Sequence, residues 1–376
     1  MSPVRAAGIF VLVLLVFGAF NWLTARKLFR LHPRRKRIVV ALLVIGNLMW
    51  LFVPWLRVRN DAMRFLRATL GPPWFAWLCF AIVYAAVLFA IFVAWLPFVR
   101  RIDFVRFARR PSRVFLWATL VALVAGVYGA LVPLRVAHVP VAIDGLPAEV
   151  EGMRIAVIGD LHVGLYSRPS RLRTIFETAR AQRPDLVVLA GDLVDDDPFF
   201  APKLLAGVAS VGPSVPVIGV LGNHEMYGDP VEMIDRLRGS RVHLLVNEGV
   251  AMRGLWLAGI SDFAAQLPAL RPDIDRALAG RGARLPIVLA HQPRAFPESI
   301  KRAVPLTLCA HSHGGQCGFR PLHWTLAGLF IPYDMGLYRR GASQLYVHTG
   351  AGYWLLPWRL GITPEIVLIE LHRPRR

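Results

Sequence analysis

Residues able to bind a metal ion occur in five short fragments in the second half of the chain. The fragments are Asp160-Leu161-His162, Gly191-Asp192, Gly222-Asn223-His224-Glu225, His291 within Leu-Ala-His-Gln-Pro, and His311-Ser312-His313-Gly314-Gly315-Gln316. Carboxylate, amide and imidazole groups are donors that suit Mn²⁺, Fe or Zn²⁺. One buried histidine alone is usually a hydrogen-bonded core residue, and one Gly-Asp pair is usually a turn. Five such fragments in one chain indicate a metal site.

A short apolar run precedes each fragment and has the length and composition of a buried strand. The five runs are residues 153–158, 185–190, 215–221, 285–290 and 304–310. Helices are predicted at 170–182 and near 200–209 and 229–239, with further strands at 242–246, 250–252, 255–260, 345–348 and 365–371. Side chains alternate across a strand, so the two members of each Asp-x-His or His-x-His pair are expected to point the same way. The pattern predicts an α/β domain whose strand ends carry the site.

The order of these fragments resembles that of the calcineurin-like metallophosphoesterase superfamily, over about residues 150–372. The His-x-His-Gly-Gly-Gln ending is similar to that of a membrane-associated bacterial phosphodiesterase branch. Residues 346–352 and the Pro-Glu-Ile at 364–366 also look like that branch. The resemblance implies an αββα sandwich with the active-site loops at one edge. Some members of the branch cleave the pyrophosphate of UDP-diacylglucosamine, and others are known only as phosphodiesterases.

The resemblance also implies a role for each polar residue of the fragments. Two divalent metal ions are expected, with Mn²⁺ first and Fe or Zn²⁺ as alternatives. The first ion would be bound by Asp160, His162, Asp192 and His313, and the second by Asp192, Asn223, His291 and His311, so that Asp192 bridges them. His224 matches a histidine that contacts the phosphate and protonates the leaving group. Ala310 and His348 depart from the branch pattern and are expected to narrow the pocket.

The first third of the chain has the composition of a membrane protein. Hydrophobic residues make up 55% of the sequence, and the mean hydropathy is +0.48. Four apolar runs, at about 8–24, 38–56, 74–98 and 114–134, approach or exceed the roughly 20 residues that cross a bilayer core. The first run lacks a small-x-small cleavage site and is interpreted as a retained helix rather than a signal peptide. We therefore expect four transmembrane helices in residues 1–137 and the hydrolase domain in residues 138–376.

Most of the net charge of +20 lies between these apolar runs. Residues 1–135 contain 19 Lys and Arg but two acidic residues, whereas the remainder is close to neutral. Basic loops at 26–37 and 100–113 carry seven and six positive residues, and the positive-inside rule places them in the cytoplasm. The catalytic domain is then expected on the outer side of the cytoplasmic membrane. Because the excess charge sets topology, no nucleic-acid partner is expected.

The sequence therefore predicts a membrane-anchored, dinuclear metal-dependent phosphoesterase. It would cleave a phosphodiester or pyrophosphate bond by in-line attack of a hydroxide that bridges the two metals, on a lipid-linked substrate. Tyr353, Trp354 and Arg359 are the expected substrate contacts, although surface pairing is an alternative for Arg359. Residues 353–358 and Phe199-Phe200 would form an apolar lip, or simply pack over the sheet edge. Residues 195–197 are expected to form a solvated loop.

Two other functions remain open at this point. A nucleotide or nucleic-acid phosphodiesterase would use the same metal chemistry, but the near-neutral catalytic half does not favour a groove for a polyanion. A non-catalytic membrane scaffold with a retained hydrolase fold would be expected to have lost metal ligands, and none is missing.

Overall fold

The computed structural model describes residues 30, 41 and 61–374. Apart from residue 41, the predicted spans at 8–24 and 38–56 lie outside the described residues. The chain divides into two compact units, Met1–Val124 and Ala125–Arg376.

Two long helices dominate the described part of the first unit. Helix α1 is Asp61–Trp95 and helix α2 is Phe104–Leu131, which continues into the second unit. Segments 69–98 and 104–131 are long and apolar enough to cross a membrane, with hydropathies of 2.6 and 2.1. They correspond to the predicted spans at 74–98 and 114–134. The first two predicted spans stay a prediction.

The predicted basic loop at 100–113 is wrong from residue 104 onward, because helix α2 already begins at Phe104. Asp103 caps this helix: its Oδ1 accepts hydrogen bonds from the backbone N–H groups of Val105 and Arg106. The arginines that follow are good helix formers and do not interrupt it. Within the first unit, α2 packs on α1 through a buried cluster in which Tyr84 Oη lies 2.7 Å from Ser112 Oγ.

The second unit contains two six-stranded sheets. The first has the order β1-β14-β2-β3-β4-β5 and the second β12-β13-β9-β8-β7-β6. The strands of the first are β1 Arg135–Ala142, β2 Arg154–Ile158, β3 Leu186–Ala190, β4 Val217–Val220, β5 Val242–Leu244 and β14 Glu365–His372. Those of the second are β6 Glu248–Met252, β7 Leu255–Gly259, β8 Leu285–Leu289, β9 Leu306–Cys309, β12 Gly336–Arg340 and β13 Ser343–Val347.

Parallel pairing brings the chemically important strand ends to one edge. Strands β2, β3 and β4 are mutually parallel neighbours, and β8 and β9 are parallel neighbours in the other sheet. The carboxyl ends of parallel neighbours lie at the same edge of a sheet. All five fragments follow these five strands, so the topology itself collects them.

Strand alternation builds the layers of the domain. Ile155 and Val157 of β2 enter the core between the two sheets, whereas Ala156 and Ile158 face the helices outside. Helices α3 Pro169–Ala181, α4 Ala201–Val208 and α6 Pro230–Arg238 cover the first sheet, and a short helix α5, Asn223–Tyr227, follows β4. Helices α7 Ile274–Leu278 and α8 Phe296–Lys301 cover the second sheet. The expected αββα sandwich is confirmed for this unit.

The predicted boundary between residues 137 and 138 falls inside strand β1, which pairs with β14 from Arg135 onward. The sandwich therefore starts earlier than predicted. The last turns of α2 also belong to the second unit, because the backbone N–H of Arg359 donates to the carbonyl of Gly126. An added Cβ at Gly126 would lie 1.9 Å from Trp358 Nε1, so glycine is required for this close approach.

Candidate metal centre

All seven predicted metal ligands lie just beyond strand ends, and five of them have unusual backbone conformations. Positive φ values, between 43° and 75°, occur at Asp160, His162, Asp192, His311 and His313. Non-glycine residues rarely adopt this left-handed region, at a cost of about 1–3 kcal/mol each, and such strain is concentrated at functional sites. The loops are therefore held in place by contacts elsewhere in the domain.

Strand alternation is not what aligns the ligand pairs, contrary to the prediction. Strand β2 ends at Ile158 and β9 at Cys309, two residues before the first ligand of each pair. The pairs converge because left-handed turns redirect the chain at each ligand. The expected convergence is present, for a different physical reason.

Four side chains form the first cluster: Asp160, His162, Asp192 and His313, all buried. Their ligand atoms lie within 4.8 Å of one another. His162 Nε2 is 2.9 Å from His313 Nε2 and 3.5 Å from Asp192 Oδ2. The membership is the one expected for the first metal ion.

The second cluster shares Asp192 with the first. Asp192, His291 and His311 have ligand atoms within 4.8 Å of one another, and Asn223 joins them through its amide oxygen. His291 Nε2 is 3.0 Å from Asp192 Oδ2, 3.1 Å from Asn223 Oδ1 and 3.3 Å from His311 Nδ1. The set is the one expected for the second ion, with Asp192 between the two clusters.

The ligand atoms of the two clusters cannot all be paired by hydrogen bonds to one another. His291 Nδ1 lies 2.8 Å from the carbonyl oxygen of Ala190 and must donate to it, which leaves Nε2 as the atom facing Asp192 and Asn223. Lone pairs of Asp192 Oδ2, Asn223 Oδ1 and the His311 ring therefore crowd around His291 Nε2. Asp160 Oδ2 is also buried with no hydrogen-bond partner among the described residues. Buried polar atoms are normally paired, so these groups fit divalent metal ions.

The pKa shifts of the clustered histidines also suit a site that binds cations. Burial acts to lower the pKa of His291, but Asp192 and Asp160 outweigh it and raise the pKa to about 10. Burial and the neighbouring His291 lower the pKa of His311 to about 3, and burial and His162 lower that of His313. His311 and His313 are therefore neutral at pH 7 and can offer lone pairs to a metal.

Glu225 is an essential part of the site that sequence reasoning did not assign. Its carboxylate accepts backbone N–H bonds from Asp192, Leu193, Val194 and Gly222, at 2.6 to 3.1 Å. These bonds fasten the loop after β3 to the loop after β4 and so position Asp192 beside Asn223. The signal available in the sequence was its place in the Gly-Asn-His-Glu run.

Residues 195–197 are not simply a solvated loop, and this prediction is corrected. Asp196 Oδ1 lies 2.6 Å and Asp195 Oδ1 3.5 Å from His224 Nδ1. Burial acts to lower the pKa of His224, but the neighbouring carboxylates of Asp195 and Asp196, which accept from the imidazolium, reverse this and raise the pKa to about 11. The two acidic residues keep His224 protonated beside the first cluster, where its ring is 4.5 Å from that of His162.

The structure contradicts the prediction of Arg359 as a substrate contact. Its side chain is fully buried, with Nε donating to Gly352 O at 2.9 Å and an Nη donating to Thr349 O at 2.8 Å. The other Nη is 3.3 Å from His313 Nδ1. Arg359 therefore supports the loop beside the first cluster and cannot reach a substrate.

Trp354 lies close to His224, and Tyr353 directly precedes it in the chain. The Trp354 ring is 6.2 Å from that of His224, and its backbone N–H donates to Gln316 Oε1. Tyr353 Oη donates to the carbonyl of Tyr166. Their role as substrate contacts stays a prediction.

Ala310 and His348 do not narrow the open face, contrary to expectation. Both are fully buried beneath the loops. An added Cβ at Gly159 would lie 2.6 Å from Ala310 Cβ, so glycine at 159 makes room for the alanine. His348 Nδ1 accepts the backbone N–H of Gly350, and the ring helps to shape that loop.

The fold and the two clusters define a metal-dependent hydrolase, and comparison with known proteins gives its family. Residues 153–315 match the model of the calcineurin-like phosphoesterases. An uncharacterized metallophosphoesterase of Helicobacter pylori is 32% identical over 283 residues, 73% of this chain and 75% of that protein. The chain belongs to the calcineurin-like metallophosphoesterase family and is a phosphoester hydrolase.

Two further relatives differ in how much of them is matched. A Danio rerio protein described as a transmembrane protein with metallophosphoesterase domain is 31% identical over 70% of this chain and 63% of its own length. An uncharacterized metallophosphoesterase of Aquifex aeolicus is 28% identical over 67% of this chain and 97% of its own length.

Metal affinity is expected to rise with pH between 6 and 8. His291, with its pKa near 10 in the metal-free site, is protonated over this range and must release the Nε2 proton before it can bind a cation. Calorimetric titration of the metal-free protein with Mn²⁺, in buffers of different ionisation enthalpy, measures both the affinity and the proton released. A pH-independent affinity with no proton release would contradict this assignment of His291.

Replacing Arg359 with lysine is expected to weaken metal binding at the first cluster and to destabilise the domain by about 3 kcal/mol. Lysine keeps the charge but cannot hold Gly352 O and Thr349 O together, and buried acceptors left unpaired are costly. Metal content by elemental analysis and thermal unfolding check this. Arg241→Lys is the control, because Arg241 also donates to two carbonyl oxygens, those of Gly212 and Val215, directly before the start of β5 and so at the opposite end of that strand from the site edge. Equal metal content in both variants would remove Arg359 from the support of the site.

Proposed function

We propose that this chain is a membrane-anchored phosphodiesterase or pyrophosphatase that acts on lipid-linked substrates. The observation that carries the proposal is the pair of buried ligand clusters joined by Asp192, with a protonated imidazole, His224, beside them. A pair of dications suits a reaction in which negative charge builds on phosphoryl oxygens.

The ligand side chains determine what such a site would do. A dinuclear centre supplies Lewis-acid stabilisation of the phosphoryl group and a strong oxygen nucleophile at neutral pH. Asp192, held by Glu225 through the loop backbone, fixes the separation of the two clusters. Four imidazoles contribute no charge when neutral, so Asp160 and Asp192 leave the centre with a net positive charge that attracts a phosphate. We infer Mn²⁺ as the preferred metal, with Fe and Zn²⁺ as alternatives for this mixed nitrogen and oxygen donor set.

His224 is proposed as the general acid. Its Nδ1 lies 2.6 Å from Asp196 Oδ1, and this contact leaves Nε2 as the atom that gives a proton to the leaving oxygen. The pKa near 11 applies without metal, and two nearby dications would lower it toward the working pH, where general acids are most effective.

Aromatic side chains around His224 support a substrate with an apolar portion. Tyr227, 62% exposed, has its ring 5.4 Å from the His224 ring, and Trp354 lies on another side. Phe199 follows the acidic loop 195–197 and is 51% exposed, whereas Phe200 packs on the core. Of the proposed apolar lip, Phe199 is exposed, Trp354 is partly exposed close to His224, and Phe200 packs on the core.

Membrane anchoring is supported by helices α1 and α2 and by relatives described as transmembrane proteins. The positive charge between apolar runs supports an extracytoplasmic catalytic domain. That side of the membrane would give access to lipid-linked phosphates of the outer leaflet and not to cytoplasmic nucleotides.

Substitution of His224 by alanine is expected to keep both metals and to lower turnover about 10²–10⁴-fold on esters with poor leaving groups, because the proton donor is lost. Esters of p-nitrophenol should be cleaved nearly as before, because p-nitrophenolate leaves without being protonated. Steady-state rates on matched alkyl and p-nitrophenyl phosphodiesters make the comparison. His243→Ala, an exposed histidine of β5, is the control. Equal activity of H224A and the parent chain on the alkyl diester would remove His224 from the mechanism.

Acylated substrates are expected to be preferred over water-soluble diesters that have the same phosphate group. The reason is that Trp354, whose ring lies 6.2 Å from that of His224, can bury part of an acyl chain beside the site. Hydrolysis in mixed micelles, with paired substrates that differ only in acylation, measures the preference, and Trp354→Ala should reduce it. Equal rates on both members of the pair would refute the lipid-linked substrate, and faster cleavage of nucleotide diesters would favour a nucleotide phosphodiesterase.

A further inference from the structure

An exposed apolar segment follows the last metal-ligand fragment directly. We call residues 317–335 the apolar hairpin; it contains strands β10 Gly318–Phe319 and β11 Trp324–Thr325. Within twelve residues it exposes six large apolar side chains, Phe319, Leu322, Trp324, Leu326, Leu329 and Phe330. Phe330 is 82% and Leu322 75% exposed. Single exposed apolar residues are common, but a concentration of this kind marks an interaction surface.

The apolar hairpin is ordered by internal hydrogen bonds, so its exposure is not that of an unstructured loop. Thr325 Oγ1 and Tyr338 Oη both donate to the carboxylate of Asp334, and the backbone N–H of Leu326 donates to Cys317 O. Gly315 is needed where the hairpin packs back, because an added Cβ there would lie 2.5 Å from Ala327 N. A fixed backbone therefore presents the apolar side chains outward.

Contacts at its base place the apolar hairpin next to the point where the chain leaves helix α2. Arg320 of the hairpin and Arg135, four residues after the helix ends, both bind Oε2 of the buried Glu365, at 2.9 and 3.0 Å. Gly318 N–H donates to Leu360 O, next to Arg359, whose own N–H donates to Gly126 of α2. The hairpin base and the last turns of α2 are thus joined through residues 358–361.

The chemistry of the surface fits a lipid bilayer. Residues 319–333 contain no Asp or Glu, and their basic residues are Arg320 and His323. Trp and Phe together with Leu and a basic residue are typical of segments that lie in the membrane interface. The last turns of α2 are also apolar and exposed, at Val127, Tyr128 and Leu131.

We propose that the apolar hairpin inserts into the bilayer surface and holds the metal-centre edge of the domain against the membrane. A second copy of the chain or a soluble protein is a less suitable partner, because the hairpin is attached beside a helix whose own composition suits lipid. The inference rests on the proposed membrane anchoring. It adds a second contact with the bilayer, on a segment that starts four residues after the metal ligand His313, so lipid-linked phosphates would reach the site without leaving the membrane.

Spin-label depth measurements on the full chain in liposomes test the proposal. Cys79 and Cys317 are replaced by serine, while Cys309 is fully buried and stays. Nitroxides are then attached in separate variants at L322C and F330C. The control is A283C, on the exposed turn before β8 and so at the opposite end of that strand from His291. Each labelled variant is required to retain metal-dependent cleavage of bis-p-nitrophenyl phosphate.

Labels at 322 and 330 are expected to collide with oxygen several-fold more often, relative to a water-soluble nickel complex, than the label at 283. The same ratio at all three positions, in chains that remain in the liposomes after an alkaline wash, would overturn the hairpin proposal alone. Dipolar broadening between labels at 322 would assign the surface to a second copy and also overturn it. Chains removed from the liposomes by the wash would overturn the membrane anchoring together with the hairpin.

Discussion

The shared carboxylate of Asp192 is the group on which the rest of the site depends. Its Oδ2 faces His162 of one cluster and His291 of the other, and its Oδ1 accepts the backbone N–H of His224. Burial acts to raise its pKa, but the charge of His291 outweighs this and holds the pKa of Asp192 well below its ordinary range. An ionised carboxylate at this depth is costly unless positive charge surrounds it, which is the condition that two dications satisfy.

The surrounding structure holds strained loops in place around that carboxylate. Left-handed backbone at five ligands would relax if the loops were free. Glu225 fastens two of the loops through four backbone N–H groups, and Arg359 fastens a third through two carbonyl oxygens. Two buried charged side chains that touch no substrate are therefore as necessary to the geometry as the ligands themselves.

A second buried carboxylate, Glu365, lies at the same edge of the catalytic unit, because β14 pairs antiparallel with β2 and starts beside the end of β2 that leads to Asp160. It joins Arg135 from the start of β1 to Arg320 from the apolar hairpin, and it accepts the backbone N–H of Thr349. Burial alone would raise its pKa, and the nearby His348 and Arg320 lower it. The start of β1, the apolar hairpin and the loop that contains Thr349 therefore meet at one charge.

Local sequence was enough to predict the ligand types, the strands that precede them and an α/β domain, whereas the layered αββα sandwich was implied by the family resemblance. Short apolar runs and the residues directly after them are properties of neighbours in the chain, and the family resemblance supplied the grouping of Asp192 between two sets. Local sequence did not predict the roles of Asp195, Asp196, Glu225 and Arg359, or the apolar hairpin. Those roles depend on contacts between residues far apart in sequence, such as His162 with His313, 151 positions later. Only the tertiary structure decides which charges are buried together. Burial and distance set the electrostatic energy of these charges, and neither quantity can be obtained from the spacing of residues along the chain.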